Sequence, residues 1–230
     1  MNKLSQQYND WHNNNLPKNL SRTEEAFNIK ALDMLDAKGG QKLLDVGCGK
    51  GSFCISAFKR GLKVTGVDFS EVAINHAKSL KLNIEFIIED AHFLPFKDQL
   101  FDFVVCLGSL EHFSDKKQVL KEINRVLKID GLAFFFLPNS YFLGHVYLVL
   151  RTGMPPDEGK QDFSEDFNTS MGWKVLLEEN GFNVQLLSKF NTIIGSNKVS
   201  PLIKFIYNRI IKYFIPFNLS YSFGYLCKKK

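Results

Sequence analysis

The chain has little of what a secreted, membrane-spanning or metal-built protein needs. Its four cysteines, Cys48, Cys54, Cys106 and Cys227, form no CxxC pair. That pattern excludes a disulfide scaffold or a zinc ribbon and points to reduced thiols in a cytoplasmic setting. No HxH or HxxxE spacing occurs, so no metal is expected. The first residues, MNKLSQQYNDWHNNN, lack the apolar core of a signal peptide, which again predicts a cytoplasmic chain. The longest apolar stretch, 132–150, is broken by Pro138, Asn139, Ser140, Gly144 and His145. Lipid would leave those breaks unsatisfied, so the stretch reads as a buried strand, then a loop and a short helix. With 7 prolines in 230 residues, no internal repeat and no long simple-sequence linker, one domain is the economical reading.

Acids are missing from one end only. The net charge is +5, yet every charged residue from Lys198 onward is basic: Lys198, Lys204, Arg209, Lys212, Lys228, Lys229 and Lys230. The basicity therefore belongs to a tail and not to the body of the chain. Its aromatics follow helical apolar spacing instead of a stacking platform, and no nucleic-acid partner is expected.

What is present in the middle is an alternation of short apolar runs with helical patterns, the signature of βαβ units around a parallel sheet. Strands are predicted over 42–46, 63–68, 84–89, 101–107, 132–137 and 182–190, with a seventh over 219–227. Helices are predicted over 52–60, 70–79 (capped by Ser70), 116–127 and 172–180. Asp130-Gly131 reads as the turn into the fifth strand. The fold class is α/β: a doubly wound, Rossmann-like seven-stranded sheet, mostly parallel with an antiparallel last strand.

The strongest chemical signal is LLDVGCGKG over 43–51, where a buried strand meets a helix. Glycines at every second position allow turn dihedrals and a close backbone approach to a ligand. The third, Gly51, comes one residue too early for a dinucleotide GxGxxG. Asp45, inside the apolar strand, would repel a pyrophosphate but suit a cationic ligand. Asp68, at the tip of the second strand, is placed to accept both hydroxyls of a ribose.

These residues resemble the class I S-adenosylmethionine-dependent methyltransferase family over about 41–190. LLDVGCGKG is similar to its first motif, VTGVDFS (64–70) to its ribose-binding acidic motif, and IEDAHFLPF (88–96) to its adenine motif. FDFVVCLGSLEHF (101–113) and LKEINRVLKIDGLAFFFLPN (120–139) follow in the family's order. The resemblance implies S-adenosylmethionine as cofactor. Gly47, Cys48, Gly49 and Gly51 would pass its methionine half, and Asp45 would hold its amino group. Asp68 would take the ribose hydroxyls, with Phe69 along the adenine face. Asp90 would accept from the adenine amine beside the Ala91 amide, or act only as a cap of the following segment. Leu107 and Gly108 would offer backbone carbonyls to the amino group. CLGSLEHF also resembles ubiquinone-type O-methyltransferases, some of which place a glutamate four residues before the histidine as a metal ligand. That position is Gly108 here, which argues against a metal.

The resemblance implies methyl transfer, with oxygen as the expected receiving atom. A hydroxyl acceptor needs a base, and His112 is the candidate best placed in sequence, ahead of His145, Glu111 and Asp157. Its other reading is a packing or capping histidine. The organisation expected over 1–230 is a helical cap (1–40), a cofactor-binding core (41–137) and substrate-side insertions at 138–170 and 191–218. In the first insertion Tyr141, Phe142, His145, Tyr147 and Arg151 could line an acceptor pocket. In the second, Leu202, Ile203, Ile206, Ile210, Tyr213 and Phe214 share one helical face opposite Lys204, Asn208, Arg209 and Lys212. Such a helix packs on its own domain or lies on an anionic membrane surface, a peripheral setting that Lys228, Lys229 and Lys230 would reinforce. The expected acceptor is a small molecule, a glycan intermediate or a lipid-linked compound. A nicotinamide-dependent oxidoreductase and a catalytically silent membrane-associated binding protein stay open at this point.

Overall fold

A computed structural model describes residues 22–153, 168–191 and 214–230. Its elements in chain order are α1 (Arg22–Met34), β1 (Lys42–Val46), α2 (Ser52–Lys59), β2 (Lys63–Asp68), α3 (Glu71–Ser79) and β3 (Glu85–Ile88), then β4 (Phe101–Leu107), α4 (Lys116–Val126), β5 (Leu127–Pro138), α5 (Leu143–Thr152), α6 (Ser170–Glu179), β6 (Phe182–Phe190) and β7 (Ser222–Lys229). The strands form one sheet in the order β3-β2-β1-β4-β5-β7-β6. All its pairs are parallel except those of β7, which runs antiparallel between β5 and β6.

The central strands are apolar runs because both faces of the sheet are covered. Alternate residues enter different cores. Leu43, Phe103, Val105 and Phe134 pack with Leu32, Phe53 and Ile74 from α1, α2 and α3. Leu44, Val104, Cys106 and Phe135 pack with Val119, Ile123 and Trp173 from α4 and α6. The Trp173 indole N–H donates to the Pro138 carbonyl at 2.8 Å, and the Tyr225 hydroxyl to the Ser170 carbonyl at 2.8 Å. Both large rings thus bury their surface without stranding a polar atom.

The sequence is followed closely at β1, β2, β4 and β6, and Ser70 caps α3 by accepting from the Ala73 N–H. β5 differs. It begins at Leu127, directly after α4, and Asp130-Gly131 lies inside the strand. Leu127 pairs with Phe101, the next rung joins Leu132 to Phe103, and the irregularity between them absorbs the extra residues. Gly131 is there for space: a Cβ would lie 2.7 Å from Leu127 Cδ1 and 3.0 Å from the Asp102 carbonyl oxygen. The seventh strand begins later than 219, since Phe217–Leu219 form a short 3-10 turn.

The direction of β7 decides which edge the C-terminal lysines occupy. Lys229 pairs with Phe182 at the start of β6, on the amino edge of the parallel strands. The Lys229 ammonium donates to the Asn124 carbonyl at 2.9 Å, at the end of α4, and Lys230 donates to the Glu178 carbonyl, at the end of α6. Both cations neutralise helix C-termini. They lie at the amino edge of the parallel strands. Of the amphipathic segment 202–214, all but Phe214 lies outside the described residues, as do Asp157 and 1–21. Among the described residues, no helix is long and apolar enough to cross a membrane.

Candidate functional site

The chain winds outward from β1 through β2 to β3, then returns to β4 on the other side of β1. Ligands of open α/β sheets bind at that switch point, beyond the strands' carboxyl ends. Here it is occupied by the turn 47–51. Gly47, Gly49 and Gly51 all take positive φ, at 73°, 51° and 80°, a region costly for residues with a Cβ. Space is as short as the dihedral is special. A Cβ on Gly47 would sit 2.5 Å from Ser109 Oγ, and one on Gly51 would sit 2.8 Å from Phe86 Cζ.

Three strand tips are sewn to this turn. The Gly47 and Cys48 N–H groups donate to the Val67 carbonyl at 2.9 Å each. Asp68 accepts from the Gly49 N–H on Oδ2 and from the Ser70 N–H on Oδ1, both at 2.8 Å. Ser109, just past β4, donates its hydroxyl to the Gly47 carbonyl at 3.1 Å. Asp68 is 8% exposed and keeps lone pairs for a ligand. Phe69 follows it, partly exposed. Leu107 and Gly108 stand at the tip of β4, where the Gly108 N–H donates to the Phe136 carbonyl at 2.9 Å.

Asp45 is 2% exposed, and the Cys54 thiol donates to it at 3.3 Å. Burial pushes its carboxyl up to about 7, the thiol bond opposes that rise, and the Asp68 charge adds to it. Burial also raises Asp68. Two acids facing one turn are costly alone and favourable to a cation. Burial drives the Cys48 thiol up to about 11, which leaves it no nucleophile at neutral pH.

The segment after β3 brings Asp90 and Ala91 to the next tip. Asp90 accepts from the His92 N–H at 2.9 Å and also faces the His92 ring, so the capping geometry is present. Its carboxylate is more than half exposed, with acceptor capacity left. Ala91 is buried. α4 holds this segment: Gln118 donates to the His92 carbonyl, Glu122 accepts from the Leu94 N–H, and Arg125 donates to the Leu94 and Phe96 carbonyls.

His112 lies on the 3-10 turn Leu110–His112 and is partly buried. Burial, and then the Lys116 ammonium, lower its imidazole to about 4. It is neutral at pH 7 and able to accept a proton, but as a weak base. Glu111 beside it is buried. His145 is on α5 against the Phe142 ring, 5.2 Å away. Tyr141 and Tyr147 are well exposed, so these positions form no enclosed pocket among the described residues.

Sequence reasoning missed Ser109, and also an aromatic group near the carboxyl tips of β5 and β6. Phe27 of α1 meets Phe136 at 4.7 Å and Phe190 at 5.5 Å between centroids, and Phe136 meets Phe190 at 5.4 Å. Buried Asn139 gathers the loops beside it, donating to the Asn218 and Ser220 carbonyls at 2.9 and 2.7 Å. No local pattern announces either, because the partners lie far apart in the chain.

Comparison with known proteins agrees with this geometry. A family model described as a methyltransferase domain matches residues 44–135. Ubiquinone biosynthesis O-methyltransferase of Coxiella burnetii is 35% identical over 126 residues, 53% of this chain and 54% of the relative. The chain thus spans about half the length of that relative. Demethylmenaquinone methyltransferase of Thermotoga maritima is 31% identical over 175 residues, covering 67% of this chain and 76% of the relative. A solved SAM dependent methyltransferase from Aquifex aeolicus covers 100% of both chains with a TM-score of 0.65 at 19% identity, a likeness of fold.

Proposed function

Since this chain belongs to the class I S-adenosylmethionine-dependent methyltransferase family, we propose that it transfers a methyl group to an oxygen of an aromatic, quinone-type small molecule. The observation that carries this reading is the pair of buried acids, Asp45 and Asp68, on a turn of positive-φ glycines at the switch point. Membership of the family sets aside the nicotinamide alternative.

The residues fit the cofactor. Asp68 has lone pairs for two ribose hydroxyls, Phe69 offers a ring face beside it, and Asp90 with Ala91 would take the adenine edge. Asp45, with Leu107 and Gly108, would hold the amino group. When bound, the cofactor supplies an electrophilic methyl carbon on a sulfonium centre. The chain's part is to align the acceptor in line with that carbon and to exclude water. Phe27, Phe136 and Phe190 are suited to hold a planar ring at the same edge. Exposed Tyr141, Tyr147 and Leu150 beyond it suit a lipid tail on the acceptor.

His112 would take the hydroxyl proton. Its lowered basicity puts its contribution at about 10²-fold, the lower end for a positioned base. The test is methylation of a hydroquinone with and without a prenyl tail, by wild type and by His112→Ala. The expected outcome is turnover of both acceptors, a lower KM for the tailed one, and about 10²-fold slower turnover by the variant. Failure to methylate either would remove the acceptor class, and an unslowed His112→Ala would remove the base.

Asp45 makes cofactor binding depend on pH. Its raised value means the empty site binds a proton below about pH 7. A cationic ligand favours the carboxylate, so binding there must release that proton. Affinity should therefore fall as pH drops from about 7, by up to about tenfold per unit. Calorimetry at pH 6 and 7.5, in buffers of different ionisation heat, should detect proton release at pH 6 that Asp45→Asn abolishes. Equal affinity at both pH values would remove Asp45 from the site.

A further inference from the structure

The stretches 138–170 and 191–218 carry an asparagine near each of their four ends: Asn139, Asn168, Asn191 and Asn218. The fold brings those four ends together. Asn139 is 2% exposed and engages every polar group it has. Its backbone N–H donates to the Tyr221 carbonyl at 3.2 Å, and its carbonyl accepts from the Phe142 N–H at 3.3 Å. Its side-chain amide donates to the Asn218 and Ser220 carbonyls, while its side-chain oxygen accepts from the Tyr141 N–H at 3.1 Å. A short carboxamide can both donate and accept, which suits a buried junction of loop backbones.

The other three asparagines extend the junction. The Asn168 carbonyl accepts from the Ser140 N–H at 3.2 Å. The Asn191 side-chain oxygen accepts from the Tyr221 N–H, and that of Asn218 from the Ser170 hydroxyl, both at 3.0 Å. The Phe142 and Tyr221 rings meet edge to face across it at 5.1 Å. Its place in the fold gives it a consequence. Asn139 follows Phe136 by three residues at the end of β5, and Asn191 directly follows Phe190 at the end of β6. The Phe136 and Phe190 rings, 5.4 Å apart, therefore keep their spacing only while both strand ends are held. The cofactor acids lie elsewhere, on β1, on β2 and just after β3.

We propose that Asn139 is a positioning residue for the methyl acceptor: it locks the loop entering α5 to the loop entering β7, and the locked pair sets how Phe136 and Phe190 present themselves to an aromatic ring. The proposal rests on the quinone-type acceptor reading. It separates acceptor binding, which Asn139 governs, from cofactor binding, which it does not touch.

The test pairs hydroquinone methylation kinetics with amide hydrogen exchange in wild type and Asn139→Asp. The substitution keeps the size of the side chain but turns its donating amide into an oxygen that faces the Asn218 and Ser220 carbonyls. The hydroquinone KM should rise about tenfold, while kcat and S-adenosylhomocysteine affinity stay within about threefold of wild type. Exchange should quicken together in 139–142 and 218–221, and stay unchanged in the glycine turn. A general loss of stability would instead weaken the cofactor as well. In wild type loaded with S-adenosylhomocysteine, added hydroquinone should slow exchange in both loops at once, a readout that needs no variant to fold. An unchanged KM, a loss of cofactor affinity equal to the rise in KM, or exchange that responds in one loop alone overturns the proposal. Wild type that methylates no hydroquinone would remove the acceptor reading instead, and the exchange comparison would still decide whether Asn139 joins the two loops.

Discussion

Asp68→Ala should weaken S-adenosylmethionine binding by about 10- to 100-fold while leaving the sheet folded. The carboxylate has two tasks. One oxygen accepts from the Gly49 N–H and the other from the Ser70 N–H, at 2.8 Å each. The remaining lone pairs face the ligand and would take the ribose hydroxyls. Losing charge-assisted bonds to a sugar costs about 1.5–3 kcal/mol, which corresponds to that range in affinity. The substitution also leaves two buried N–H groups without their acceptor, so the glycine turn loosens and the loss falls toward the upper end. Asp68→Asn tests the inner task. A carboxamide presents one oxygen and one NH2, so it must set a donor against either the Gly49 or the Ser70 N–H. It should therefore bind more weakly than wild type despite an almost unchanged shape. Calorimetry with unaltered near-ultraviolet circular dichroism checks both, and wild-type affinity in either variant would contradict the assignment.

Gly47→Ala should cost both cofactor affinity and stability. The residue holds φ at 73°, and its Cβ would lie 2.5 Å from Ser109 Oγ and 2.6 Å from Ser109 Cβ. Alanine in the left-handed region loses about 1–2 kcal/mol before any contact is counted. Ser109 cannot simply turn away, because its hydroxyl donates to the Gly47 carbonyl. We expect a melting temperature lower by about 5 °C or more and a cofactor affinity down at least about tenfold. Ser109→Gly in the Gly47→Ala background removes the clash but not the dihedral cost, so it should recover part of the stability and not all. Full recovery would mean the dihedral is unimportant, and no recovery that the contact is. Thermal melts of the four proteins of this cycle separate the two causes.

The parts legible in the sequence are those whose cause is local. β1, β2 and β4 are largely apolar runs that end where a glycine or an acid changes the chemistry. Asp45, Asp68 and the glycine turn declare themselves by spacing within one βαβ unit. The start of β5 is not legible locally, because KIDG looks like a turn whereas the strand is decided by a distant partner. Lys128 bonds Asp102 at 2.6 Å, and Leu127 pairs with Phe101. Ser109 escaped notice for the same reason, since its target, Gly47, lies on another strand tip. Phe27 reaches Phe136 and Phe190 only after α1 has docked on the sheet. The C-terminal lysines teach the converse. Composition registered their charge, but only the antiparallel course of β7 decides which edge they occupy.

The central claim is that the switch point holds S-adenosylmethionine. Its most direct test is calorimetric titration of the purified chain with S-adenosylmethionine, S-adenosylhomocysteine and a nicotinamide dinucleotide. The account requires saturable one-to-one binding of the first two and no heat from the third. Binding of the nicotinamide dinucleotide alone, or of none of the three, would contradict it.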